Sequence, residues 1–188
     1  MKRNVRDILI MIVIAIVVFF GLRLTVQTYV VYGSSMQPNF YTDQWLLVSK
    51  LVYNIHEPER GDVVIIWPPD DVRDVDNPFI KRIIGLPGER VEVRQGTVYI
   101  YQPDGTVLEL DEPYIEDPAR QAYYGEIIPE GEYFVLGDNR NNTDDSRSFG
   151  HVPAENIIGK AWLSIWPPSL WGAAANYPFP EQVTTTSD

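Results

Sequence analysis

Cysteine is absent from the 188-residue sequence. Disulfides, cysteine-ligated metals and cysteine nucleophiles are therefore excluded, while the redox character of the compartment is left open. Histidine is scarce, with only His56 and His151 present, so most zinc sites and most Ser-His-Asp schemes start short of parts. Cations are outnumbered, 15 Lys and Arg against 26 Asp and Glu, for a formal net charge of −11. That balance argues against a nucleic-acid partner, because phosphate binding needs clustered Lys and Arg. Beyond the N-terminal region no long stretch carries the 3.6-residue amphipathic period of a helix. What is present is ordinary for one folded domain: 45% hydrophobic and 22% charged residues, in a length that suits one sizeable core better than two.

One run stands apart. Residues 8–22, ILIMIVIAIVVFFGL, carry no charge, and residues 24–26 extend the run past Arg23. A spanning helix needs ~20 apolar residues, and a long cationic side chain near its end can snorkel to the interface. The run is apolar on every face, which a helix at the edge of a globular core is not. No Ala-x-Ala-type site follows it, since Arg23, Leu24, Thr25, Val26 and Gln27 come next, so an uncleaved anchor is expected rather than a removable leader. Lys2, Arg3 and Arg6 precede the run, and the next lysine is Lys50. The positive-inside rule then leaves the N-terminus in the cytoplasm and the rest outside. The expected organisation is a cytoplasmic N-terminus at 1–7, a single-pass transmembrane anchor at 8–26 and an extracytoplasmic β-rich domain at 27–172, followed by a C-terminal tail at 173–188. A hairpin-containing insertion is expected at about 90–130.

The body reads as strands. Short β-branched or aromatic runs occur at 45–49 (WLLVS), 63–67 (VVIIW), 79–85 (FIKRIIG), 91–93, 97–101 (TVYIY), 107–110, 133–136 and 157–165. Gly-Asp at 61–62, Pro-Gly at 87–88 and Asp-Gly at 104–105 punctuate them, the last joining a hairpin of 97–101 and 106–110. Residues 70–78 read as an acidic loop, and Trp-Pro-Pro is expected to close a strand at both 67–69 and 166–168. The fold class is mainly β: a transmembrane helix followed by an all-β domain of folded antiparallel sheets or a barrel.

Three stretches carry possible chemistry. YVVYGSSMQPNF places Ser34 and Ser35 just past the anchor. They are either a polar turn or a nucleophile, and a serine hydroxyl needs a base to accept its proton. Neither His56, in NIHEPERG, nor His151, in FGHVP, has a signature placing it near Ser35. A lysine can serve if burial keeps its amine neutral. Lys50 ends a strand, Lys160 sits in IIGKAW, and Lys81 sits in NPFIKRIIGLPGE among Phe79, Ile80, Ile83 and Ile84. On strand pattern alone a water-facing lysine is the simpler reading of Lys81. The third stretch, GDNRNNTDDSRSFG, is a solvated turn region or a polar framework. It fails the calcium-loop spacing, because Arg140 occupies the third position and no ligand glutamate follows. An Asp145–Arg147 pair and the Thr143 hydroxyl could fix the geometry of a neighbouring amine.

Taken in this order, GSSMQP, GDVVIIW, FIKRIIGLPGE, GDNRNNTDDSR and IIGKAW behind an N-terminal anchor resemble the type I signal peptidases, membrane-anchored Ser-Lys proteases that cleave signal peptides from exported preproteins. The resemblance covers about residues 8–166. It implies Ser35, immediately before Met36, as the nucleophile and Lys81 as the general base. Thr143 stands where the family usually has the serine that orients the lysine amine, and Asp145 and Arg147 match the acid and arginine that hold the site together. Gly33 stands where some members have a serine that donates to the oxyanion. The Ser35 backbone N–H and another main-chain donor or a water are then left for that task.

The resemblance further implies a serine endopeptidase of the extracytoplasmic face of a bacterial-type membrane, with preprotein signal peptides and the lipid bilayer as partners, no cofactor and no metal. Cleavage is expected after small residues in an Ala-x-Ala pattern, in pockets lined by Val31, Met36, Phe40, Phe79 and Ile80. Trp162, Trp166, Leu170 and Trp171 are expected to form an interfacial aromatic surface, with core packing an equal alternative for the first two. Other readings are an inactive membrane-tethered peptide-binding β-domain, a conjugative-transfer type Ser-Lys peptidase, and an anchored structural surface protein. The related self-cleaving repressors carry a DNA-binding domain that is absent from this sequence. Oligomeric state is not legible.

Overall fold

The structure is a computed structural model that describes residues 2–69 and 77–179, without the side chains of 2–5 and 18–24. Most of the acidic loop and residues 180–188 therefore lie outside the described residues. The chain opens with helix α1 (Lys2–Thr25). Among the described residues no helix is long and apolar enough to cross a membrane. The span expected at 8–26 falls partly on the undescribed side chains of 18–24, and its last residue, Val26, already belongs to a strand.

That strand, β1 (Val26–Val30), pairs along its whole length with β2 (Trp45–Ser49), from Val26 opposite Ser49 to Val30 opposite Trp45. Sequence reading misses β1 because VQTYV continues the apolar run without punctuation. After β2 come β3 (Val63–Ile66) and β4 (Phe79–Gly85). The smaller sheet's β5 (Arg90–Arg94), β6 (Thr97–Tyr101), β7 (Val107–Glu109) and β8 (Tyr123–Ile127) follow. The chain then returns through β9 (Glu132–Leu136), helix α2 (Ser146–Phe149), β10 (Val152–Pro153), the long β11 (Ile157–Trp166) and β12 (Gly172–Ala173).

Two antiparallel sheets result. The larger runs β1-β2-β11-β3-β4-β9-β10 with β12 added to β11, and the smaller runs β7-β6-β5-β8. β8 also escapes a periodicity reading: YYGEI has a glycine at its centre and is an edge strand with no buried residue. The hairpin of β6 and β7 forms where Asp-Gly predicts it, with Asp104 Oδ1 accepting from the Thr106 N–H.

β4 lies inside the larger sheet, between β3 and β9, and every residue from Ile80 to Gly85 is buried. Its two faces meet different neighbours. Ile80 joins a core of Val31, Met36, Phe40, Leu46, Val63, Ile65 and Ala161, and Ile84, four residues along, joins the core shared with the smaller sheet, among Val91, Val98, Ile100 and Phe134. On the other face Ile83 joins a third core with Val64, Ile66, Val135 and Val152. Burial on both faces is what a near-continuous apolar strand favours. It also carries two cationic residues, Lys81 and Arg82, into the interior.

Of the expected tail, residues 173–179 are packed on the domain: Ala173 pairs with Leu163, Ala174 is buried, and the Tyr177 N–H donates to Gly61 O.

Candidate active site

Lys81 is 3% exposed, and its Nζ lies 3.0 Å from Ser35 Oγ. β4 carries the lysine, and the turn that leaves β1 carries the serine, so 46 residues of separation close into one contact. Burial pushes the amine down from its usual value to about 8, against the opposing pull of the Asp145, Asp144 and Asp138 carboxylates. The Phe79 ring centroid stands 5.0 Å from the same nitrogen. The water-facing reading of Lys81 fails because that face of β4 is covered as well: Lys81 stands opposite Val64, whose core with Ile66, Ile83 and Val135 also takes Phe79, and the Ser35 turn meets the amine.

The other candidate bases are elsewhere. Lys160 pairs with buried Asp62, which also accepts from Tyr53 Oη. Lys50 and His56 are exposed, and His151 lies against Glu132 and the Phe134 ring.

The adjacent serines are separated by their partners. Ser34 Oγ accepts from Asn142 Nδ2 at 2.9 Å, and its carbonyl accepts from Asn139 Nδ2 at 3.1 Å. The Ser35 carbonyl accepts from the Asn139 N–H at 3.0 Å, and the Asp138 N–H points at Met36 Sδ at 3.4 Å. The loop 137–142 therefore grips the serine turn from one side while Ser35 Oγ faces the amine on the other. Gly137 makes the grip possible. A Cβ there would run into Thr143 Oγ1 and fall 2.6 Å from the Ser35 carbonyl oxygen.

Ion pairs hold the loop in turn. Asp145 caps α2 by accepting from the Arg147 N–H, takes Arg147 Nε at 2.9 Å and Nη2 at 2.8 Å, and accepts from the Gly137 N–H at 3.2 Å. Arg147 also donates to the Arg140 carbonyl, and Arg140 forks onto Glu112. Asp138 takes Nε and Nη2 of Arg82, at 2.8 and 2.7 Å, in a pair whose side chains are fully buried. A fork of this kind fixes geometry as well as charge. Asn39 Nδ2 adds a bond to Asp138 from the far end of the serine turn. Sequence reading missed Asn39, Gly137, Asp138, Asn139 and Asn142. All but Asn39 stand in the polar stretch singled out at 137–150, and nothing in their type separates a grip on a serine from solvation.

Thr143 is placed against Gly137, and its hydroxyl donates to the Asp144 carbonyl at 3.4 Å. Among the described residues no hydrogen bond joins it to Lys81. Gly33 has φ +77° and open space where a side chain would stand, and its carbonyl accepts from Thr42 Oγ1. Among the described residues no acceptor takes the Ser35 N–H.

A cavity of about 250 Å³ opens onto the Ser35–Lys81 contact. Val31, Phe79 and Ile80 line it, together with Tyr29, Val30, Tyr32, Leu46, Ile65, Asn77 and Pro78, which the sequence did not nominate. Met36 and Phe40 do not. Each is 1% exposed in the core beneath the serine turn, because a turn that exposes one serine must anchor itself with its apolar neighbours.

A family model described as "Signal peptidase, peptidase S26" matches residues 4–166. The chain is 40% identical over 158 residues to the probable signal peptidase I-2 of Synechocystis, covering 82% of this chain and 70% of that protein. It is 35% identical over 182 residues to the probable signal peptidase I-1 of Synechocystis, with 95% and 89% covered. It is 30% identical over 186 residues to signal peptidase IB of Staphylococcus aureus, with 89% and 92% covered. A crystal structure of a signal peptidase I from Enterococcus faecalis, 35% identical, aligns with a TM-score of 0.47 over 56% of this chain and 97% of that one.

Proposed function

The chain belongs to the signal peptidase S26 family and is a type I signal peptidase, a serine hydrolase that removes signal peptides, and we propose that Ser35 and Lys81 are its nucleophile and general base. The observation that carries this reading is the 3.0 Å contact of Ser35 Oγ with a lysine amine buried to 3% exposure. In it the neutral Lys81 amine takes the Ser35 hydroxyl proton as Oγ attacks the scissile carbonyl. The tetrahedral oxyanion takes a hydrogen bond from the Ser35 N–H, with a second donor from the main chain or water where Gly33 supplies none. The amide C–N bond breaks, the Lys81 ammonium protonates the leaving amine, and the signal peptide stays as an ester on Ser35. Water, deprotonated by the same lysine, then cleaves the ester and restores the hydroxyl.

Substrate enters as an extended segment beside β1 and the first half of β4. β1 is the edge of the larger sheet, and residues 79–81 lie before the β4–β9 pairing begins at Arg82. Strand addition supplies main-chain bonds, and the cavity walled by Val31, Ile80 and Phe79 supplies selection for small side chains. Asp145 and Arg147 keep the loop at 137–147 closed on the serine turn, and Thr143 fills the space against Gly137. The substrate proposed carries small side chains at the first and third positions before the cut, the Ala-x-Ala pattern that the family resemblance implies.

The enzyme works tethered to a bilayer, with α1 as the anchor and the catalytic domain on the extracytoplasmic side. Supporting this, the described side chains from Ile8 to Ile14 are each at least half exposed. Trp45, Trp162, Trp166 and Trp171 also present exposed indoles, as residues of a membrane–water interface do. Incubating the purified enzyme with a preprotein carrying an Ala-x-Ala site tests the dyad. Cleavage after the second alanine is expected, lost in Ser35→Ala and largely kept in Ser34→Ala. Equal losses in both variants would remove the assignment of Ser35.

A further inference from the structure

We propose that residues 172–179, which lie beyond the stretch matched by the family model, are a positioning strap for the catalytic dyad, acting through Arg82 and the core of the sheet. The proposal rests on the Ser35–Lys81 reading and adds an element to it.

Three consecutive strap residues each satisfy a polar group behind the dyad. The Ala175 carbonyl accepts from Arg82 Nη1 at 2.8 Å, beside the Gly61 carbonyl at 2.9 Å. The two carbonyls take the guanidinium arm that Asp138 leaves over, so the fully buried cation keeps its fork on Asp138. A buried cation left short of acceptors is costly, and the strap removes that cost. Asn176 continues a ladder that stops. The β3–β11 pairing ends at Val64 opposite Lys160. One residue on, Asn176 Oδ1 accepts from the Val63 N–H at 2.8 Å while its Nδ2 donates to the Ala161 carbonyl at 2.8 Å.

Tyr177 closes the arrangement. Its N–H donates to Gly61 O, and its carbonyl oxygen occupies the place where a Gly61 Cβ would stand, so only glycine fits there. Its ring packs at 5.4 Å on Tyr114, whose own face covers the Arg82 guanidinium at 4.1 Å.

The consequence follows the bonds. Arg82 is the neighbour of Lys81 on β4, and its partner Asp138 is flanked by Gly137 and Asn139, the two residues that touch the Ser35 carbonyl. Loosening the strap frees Arg82, lets Asp138 shift, and misplaces Ser35 relative to the amine.

The test compares initial-rate kinetics of preprotein cleavage by wild type, by full-length Asn176→Ala, by a chain ending at Phe179 and by a chain ending at Trp171. Each is assayed well below its own melting temperature. Cleavage by wild type is the control on the underlying reading, and the proposal is judged only on ratios to it. Removing residues 180–188 should change nothing. Asn176→Ala should lower kcat about ten-fold with KM within about three-fold, because a small displacement of reacting groups acts on the chemical step. Adding the peptide GAAANYPF to the chain ending at Trp171 should restore kcat saturably, and the same peptide with Asn176→Ala should not. A merely architectural strap would lower the melting temperature and leave the kcat of the folded enzyme intact. That result in Asn176→Ala, or a loss confined to KM, overturns the proposal, and Asn176→Ala decides alone if the shortened chain does not fold.

Discussion

In the proposed mechanism Lys81 works as a neutral amine, and a buried lysine of that kind weakens the fold that holds it. The folded amine titrates near 8 against 10.5 for a free lysine, so the unfolded chain binds more protons between those values. Stability therefore rises with pH across that window, and Lys81 opposes folding below it, by on the order of 3 kcal/mol at neutral pH. Replacing the ammonium by an apolar chain of similar length removes the penalty. Lys81→Met should accordingly be more stable than wild type at pH 7 in urea unfolding, with the difference shrinking toward pH 10.5, while being inactive. A Met variant less stable than wild type at pH 7 would mean that the amine is held charged by its carboxylate neighbours. At this scale the chain's scarcity of histidine turned the search for a base to lysines, apolar neighbours made Lys81 one candidate beside Lys50 and Lys160, and the family resemblance chose it. Its burial was not legible, because alternation along FIKRIIG reports faces of a strand and not what covers them.

The polar loop between β9 and α2 is the element that sets the serine turn. Its contacts cross about a hundred residues of sequence, so they are invisible to any local pattern. Asp145 and Arg147 could be paired from their spacing, two residues apart, whereas the grip of Asn139 and Asn142 on Ser34 and Ser35 needed the fold. Gly137 is the point of closest approach. Gly137→Ala forces its methyl into Thr143 Oγ1 and the Ser35 carbonyl, and should cost about 10²-fold in kcat by shifting the nucleophile, with little loss of secondary structure by circular dichroism. Wild-type turnover in Gly137→Ala would show that the loop is not held against the serine turn in solution. Elements with strong β-branched runs, such as WLLVS and FIKRIIG, were legible to the residue. β1, hidden in the continuation of an apolar run, and β8, exposed at an edge, were not.

On the scale of the whole molecule, the helix, the edge strand and the cavity are consecutive. α1 runs directly into β1, and Tyr29 and Val30 at the end of β1, with Val31 and Tyr32 just past it, line the cavity beside Ser35. In the proposed role of α1 as anchor, the five residues of β1 would join it to the site and fix the height of Ser35 above a bilayer, and confinement to one membrane would raise the effective concentration of substrate. Removing residues 2–25 should leave cleavage of a short soluble peptide within a few-fold. Cleavage of a preprotein reconstituted in vesicles should fall by about 10²-fold or more. Equal rates on the vesicle-bound preprotein would deny α1 its role. The mainly β body was readable from β-branched runs and turn punctuation. The folding of 173–179 onto the sheet was not, since small residues and a proline read as tail.

The dependence of kcat/KM on pH tests the central claim most directly. With Lys81 as the base and its amine titrating near 8, log kcat/KM for preprotein cleavage should climb with unit slope through pH 7 and level off above about 8. The same curve should survive replacement of both His56 and His151 by Gln, and vanish in Lys81→Ala. A plateau already reached near pH 6.5, lost when the histidines are replaced, would contradict the Ser-Lys assignment.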